Sequence, residues 1–235
     1  MEGNKRAVFN WSGGKDSSLA LHRVLQQGEY DIDCLLTTAS IQQKRINMHG
    51  VRLELMQKQA EAIGLPLMPV MLNDMPAMEE YNRVMGDTMK ALSGKGITYS
   101  IFGDIFLEDL KDYRDGQLTK VNMKGVYPIW KEDSLQLLKQ FIEQGFKAVL
   151  VCVNERYLDK SFAGRLLDES FLNDLPDGVD PCGENGEFHS FVFDGPIFKQ
   201  PVAYKTGEVV YRKYELSGSS ESVDTGFFYC DLLPA

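Results

Sequence analysis

The stretch Ala7-Val8-Phe9-Asn10-Trp11-Ser12-Gly13-Gly14-Lys15-Asp16-Ser17-Ser18 decides the fold. Residues 7–11 read as a buried strand. Residues 17–27 read as a helix with Leu19, Leu21, Val24 and Leu25 on one side and Gly28 as its stop. Two glycines between them let the backbone turn tightly and approach an anion with no side chain in the way. The free N–H groups at the start of the helix, together with its dipole, favour negative charge there. Ser12 and Ser17 add hydroxyl donors and Lys15 adds a positive charge. Strand, Gly-rich turn, helix is therefore phosphate-binding geometry. It is not a P-loop: Phe9 stands where GxxxxGK[ST] needs its first glycine, and Asp16 follows the lysine.

Working outward, short apolar runs alternate with amphipathic stretches. Strands are predicted at residues 32–39, 67–71, 97–102 and 147–153, the last as a fifth strand, and helices at 50–63, 79–92 and 134–143. This alternation predicts an α/β fold, a mostly parallel sheet with helices on both faces. Ligands in such sheets sit beyond the carboxyl ends of the strands. That groups the loop after Trp11, the loop after Ala39 and the pair Gly103-Asp104. Thr37, at the end of the second strand, is expected beside a base or ribose. His49, in Asn47-Met48-His49-Gly50, is expected to contact nucleotide or substrate, with a polar helix cap as the alternative. The methionine-rich residues 68–89 suggest adaptable packing or a lid.

After Asn154 the long helical periods fade. Residues 188–193 and 202–214 alternate like strands, with Lys205-Thr206-Gly207-Glu208 as the expected hairpin turn. We place a boundary near residue 125. Residues 1–125 form the expected nucleotide-binding domain and residues 126–235 a smaller C-terminal α+β lobe that supplies substrate contacts. Residues 217–222 are a polar tail.

The 235 residues suffice for a sizeable core, and a formal net charge of −9 argues against a nucleic-acid partner. No apolar run is long enough to span a bilayer and the first residues do not read as a signal peptide, so a cytoplasmic protein without a membrane partner is expected. Cys34, Cys152, Cys182 and Cys230 form no CxxC pair, which gives neither a zinc site nor a disulfide framework. Cys182 stands apart from the others by lying in a Gly-rich loop.

That loop is Cys182-Gly183-Glu184-Asn185-Gly186-Glu187-Phe188-His189-Ser190, followed by Phe191-Val192-Phe193-Asp194-Gly195-Pro196. Two carboxylates three residues apart suit a metal, a cationic amine or ammonia, and His189 beside them suits proton transfer near neutral pH. A solvated acidic loop is the plain alternative.

Residues 12–17 resemble the PP-loop signature SGGxDS of the N-type ATP pyrophosphatases, whose fold is Rossmann-like (adenine nucleotide alpha-hydrolase-like). With the Glu184–Glu187 loop, the chain resembles the diphthine–ammonia ligase family over roughly residues 7–200. Gly103-Asp104, Tyr127-Pro128-Ile129-Trp130, Leu158-Asp159-Lys160-Ser161 and Gly164-Arg165-Leu166-Leu167-Asp168 agree with it. The resemblance implies binding of ATP by Ser12, Gly13, Gly14, Lys15, Asp16, Ser17, Thr37, His49, Gly103 and Asp104. It implies cleavage between the α and β phosphates, adenylation of a carboxylate, and attack by ammonia. Lys15, Glu184 and Glu187 would be catalytic, and Glu184, Glu187 and His189 would meet substrate. Asp16 suits Mg²⁺, which takes oxygen ligands and pairs with phosphates. A homodimer is a further suggestion of the resemblance. Asn185 replaces a family glycine, and His189-Ser190 stands where diphthamide enzymes carry Glu-Thr. These departures look like a bacterial branch with a different acceptor. The rival functions are an ATP or AMP hydrolase acting at the α phosphate and a non-catalytic nucleotide sensor.

Overall fold

The computed structural model describes residues 4–74, 76–214 and 225–235. Its first half is a parallel sheet. β1 (Lys5–Asn10), β2 (Tyr30–Ser40), β3 (Leu67–Leu72), β4 (Tyr99–Ile101) and β5 (Lys124–Val126) lie in the order β3-β2-β1-β4-β5. α1 (Lys15–Gln27), α2 (Leu53–Ile63), α3 (Met78–Gly94) and α4 (Glu108–Thr119) make the crossovers. β1 is central and fully apolar through Ala7, Val8 and Phe9, as a strand covered on both faces requires. α1 stops at Gly28, whose left-handed backbone (φ 65°) returns its N–H to the Val24 carbonyl at 3.1 Å.

The second half is an antiparallel sheet. After α5 (Ser134–Glu143) come β6 (Lys147–Asn154), α6 (Glu169–Asp174), β7 (Phe188–Asp194), β8 (Tyr204–Tyr214) and β9 (Thr225–Pro234), with sheet order β7-β6-β9-β8. Residues 147–153 thus form a strand, but in this second sheet. The fifth parallel strand is the three-residue β5. β6 is buried along nearly its whole length, and an apolar run of that kind does not reveal which sheet it joins. Residues 205–208 are not a hairpin turn. They lie inside β8, where its pairing with β9 shifts register between Thr206 and Val209. Residues 217–222 lie outside the described residues.

One hydrophobic core runs between the two sheets. Phe9, Trp11, Leu21 and Leu55 share it with Phe141, Leu150, Phe188 and Phe191. A second, smaller core on the other face of the parallel sheet packs Val8, Leu36 and Phe102 against Met89 and Leu92 of α3 and Leu118 of α4. Among the described residues no helix is long and apolar enough to cross a membrane.

Candidate active site

A cavity of about 500 Å³ opens beyond the carboxyl ends of β1, β2 and β4. The parallel sheet supplies its floor through Asn10, Thr37 and Phe102, and the second sheet supplies a wall through Phe188, His189 and Ser190. α3 and α4 line the remaining side with Tyr81, Met85, Tyr113 and Arg114.

The Gly-rich turn is held rigid from behind. Ser12 Oγ and Ser17 Oγ are 2.9 Å apart, Ser12 Oγ also accepts from the Gly14 N–H at 3.3 Å, and Ser17 Oγ donates to the Gly14 carbonyl at 2.9 Å. Gly13 has φ 75°, and a Cβ there would meet Gln59 Oε1 and Met56 Sδ at 2.7 Å. Gln59, fully buried on α2, accepts from Trp11 Nε1 at 3.0 Å and donates to the carbonyls of Gly13 (3.0 Å) and Val192 (2.6 Å). β7 completes the brace: the Val192 N–H donates to the Gly13 carbonyl at 2.9 Å, and the Lys15 N–H donates to Ser190 Oγ at 3.1 Å. Gly103 packs directly on the start of α1, where a Cβ would sit 2.9 Å from Ser17 Cα and N.

Lys15 is buried, with Nζ 2.7 Å from Asp16 Oδ2 and 5.2 Å from the centre of the Phe188 ring. Burial works against its charge, but Asp16, Cys182 and Glu184 more than offset that and hold the ammonium protonated. Glu184 accepts from the Ile105 N–H at 3.0 Å, and its own N–H donates to Asp180 Oδ2 at 2.9 Å. Burial, and then the nearby Asp16 carboxylate, push Glu184 up to about 7. A carboxyl poised there exchanges protons readily at neutral pH.

The structure brings Ser12, Gly14, Lys15, Asp16, Ser17, Thr37, His49, Gly103, Asp104, Glu184 and His189 into the wall of one cavity. Gly13 sits just behind the wall. Glu187 does not line the cavity. It is buried within its own loop, accepting from the N–H groups of Asp180 (3.2 Å) and Asn185 (2.9 Å) and from Asn185 Nδ2 (3.1 Å). Those bonds make it the brace that shapes the loop presenting Glu184. Asp104 is ion-paired with Arg114, whose guanidinium lies 4.6 Å over the Phe102 ring. His49 and His189 stack with ring centres 4.3 Å apart and planes 23° from parallel, and His49 Nδ1 is buried with no hydrogen-bond partner. Burial, then Lys15, push His49 down to about 4 and His189 well below its usual range, so both rings are neutral.

Gln59, Asp180, Tyr113 and Arg114 take places in or behind the site that a reading of the sequence passes over. Of these, Gln59 carries a signal, as a polar residue on the apolar stripe of Leu55, Met56, Ala60 and Ile63.

Two family models match the chain: the diphthamide synthase N-terminal domain over residues 5–125 and the diphthamide synthase C-terminal domain over residues 133–218. The chain belongs to the diphthamide synthase family. Among its relatives, a diphthine--ammonia ligase from Homo sapiens is 28% identical over 166 residues, covering 64% of this chain and 62% of that protein. The protein of the same name from Rattus norvegicus is 26% identical over 226 residues, covering 85% and 82%. That from Danio rerio is 28% identical, covering 64% and 65%. The human and zebrafish matches therefore span just under two thirds of those proteins.

Proposed function

We propose that the chain is an ATP-dependent amide-forming ligase of the diphthine–ammonia ligase type. ATP would lie with its phosphates on residues 12–17 and its base toward Thr37, Leu36 and Phe102. A substrate carboxylate attacks the α phosphate, giving an acyl-adenylate and pyrophosphate. Ammonia then attacks the acyl carbon and releases AMP, and the amide forms. The observation that carries this reading is the buried ammonium of Lys15, set in a braced Gly-rich turn and lining the same cavity as Glu184. A fixed positive charge there stabilises the charge that develops on the leaving pyrophosphate. Glu184, close to neutrality in its proton affinity, is suited to take the proton that ammonium must lose before it attacks.

Mg²⁺ fits these residues. Among the described residues no cluster of three or more His, Cys, Asp or Glu forms a self-sufficient metal site. Mg²⁺ does not need one, because it usually binds through one or two carboxylates together with substrate phosphates. Asp16, in the cavity wall, supplies such an oxygen. Bound there, the ion would neutralise phosphate charge.

Glu184 would serve equally to activate water, so an ATP hydrolase acting at the α phosphate is the second reading. It predicts AMP release with neither acceptor nor ammonia present. A sensor that binds without turnover has no use for a carboxyl poised near neutrality such as Glu184. Replacing Lys15 with Ala tests the phosphate assignment: ATP turnover should fall at least about a hundredfold. Normal ATP binding and turnover in that variant would remove the assignment.

A further inference from the structure

The loop that carries His49 departs from the parallel sheet between β2 and α2 and bends back on itself. Lys44 (φ 53°) and Met48 (φ 66°) both take the left-handed conformation that non-glycine residues rarely adopt. Backbone bonds shape both turns, the Leu53 N–H reaching the Lys44 carbonyl at 2.9 Å and the Gly50 N–H the Ile46 carbonyl at 3.0 Å, and the C-terminal strand adds an anchor from outside the loop. Asp231 on β9 receives both arginines of the loop. Arg45 Nη1 lies 2.7 Å from Asp231 Oδ1, and Arg52 reaches Oδ1 through Nε at 3.2 Å and Oδ2 through Nη2 at 2.7 Å. Arg45 Nη1 also donates to the Gly50 carbonyl at 2.7 Å, which fixes the residue next to His49. Gly50 lies against the Tyr229 ring so closely that a Cβ would be 2.9 Å from it. Asp231 and Tyr229 lie beyond residue 218, where the C-terminal family match ends.

We propose that Asp231 is a positioning residue: by clamping Arg45 and Arg52 it holds His49 in the cavity wall, stacked on His189. The groups that face His49 are Lys15 from α1, and His189 and the Ser190 carbonyl from β7. Backbone bonds join the loop to the end of β2, the Ser40 N–H reaching the Arg45 carbonyl at 2.8 Å, and the clamp at Asp231 ties it to β9.

The chain has three histidines, His22, His49 and His189, so imidazole NMR reads the stack directly. In the whole protein, ring protons of His49 and His189 should show a mutual NOE. Asp231→Asn should abolish it while leaving the His22 signal unmoved, Arg45→Gln should act in the same direction from the loop side, and Asp231→Glu should restore it. Asp174→Asn, which breaks a remote surface ion pair with Arg165, should leave the stack intact. With ATP as the probe, Asp231→Asn should weaken binding on the order of tenfold, in keeping with the effect of small misplacements. This nucleotide arm rests on the ATP reading above, and the spectroscopic arm does not. Loss of the NOE with unchanged ATP affinity upholds the clamp and removes His49 from the ATP site. A folded Asp231→Asn protein that keeps the His49–His189 NOE overturns the proposal.

Discussion

Gly103 shows how much of the site rests on close backbone approach. It stands at the carboxyl end of the parallel sheet because nothing larger fits against Ser17. Gly103→Ala should lower the melting temperature and weaken ATP binding by about tenfold or more, since backbone atoms of α1 must move to admit the methyl group. Gly116→Ala, in an exposed turn of α4 with open space around it, should instead stabilise the fold by about 0.5–1 kcal/mol. Paired thermal melts compare the two. Glu184 gives a prediction in pH. Its folded value near 7 lies above its ordinary 4.5, so ionisation is disfavoured in the native state. That group therefore costs stability as pH rises from about 4.5 to about 7 and leaves the loss in place above that. Glu184→Gln should melt with the wild type at pH 5 and above it at pH 8. Its ATP-dependent activity should be low throughout, whereas wild-type activity should climb through pH 7. At this scale the sequence was highly legible for Ser12 to Ser17, because each residue there has one local reason to be what it is. Glu187 sits behind the cavity wall, and spacing alone cannot tell a carboxylate that faces a cavity from one that accepts three donors of its own loop.

Among elements, the contact of α2 with the Gly-rich turn and β7 matters most to the site. Gln59 alone bonds three groups there, one from each of β7, the turn and the indole of Trp11. Gln59→Leu keeps the size but removes all three bonds, so it should destabilise the protein by about 2–4 kcal/mol in denaturant unfolding and also weaken nucleotide binding. An effect under about 0.5 kcal/mol would mean the brace is dispensable. Periodicity showed α1, α2, α3 and α5, whose apolar stripes are long. It did not show α4, where Leu118 is the sole buried residue, or β5, three residues with none fully buried. Elements held by so little burial leave no hydrophobic pattern to read.

Over the whole molecule, the two sheets share one core and one cavity, and the phosphate turn is finished by β7 from the second half of the chain. The boundary we propose at residue 125 therefore separates two parts that need each other. A fragment of residues 1–125 should lack the wild-type affinity for ATP, because it has neither Ser190 for the Lys15 amide nor Val192 for the Gly13 carbonyl. Titration of the fragment against the whole chain checks this. No local pattern foretells such a contact, which joins residues 175 positions apart. The central claim is that this turn serves cleavage of ATP between its α and β phosphates. It is tested most directly by ³¹P NMR of the intact protein turning over Mg-ATP with ammonia and a panel of carboxylic acids. AMP and pyrophosphate should appear in equal amounts, and both should be lost in Lys15→Ala. ADP and inorganic phosphate as the products would rule out cleavage between the α and β phosphates.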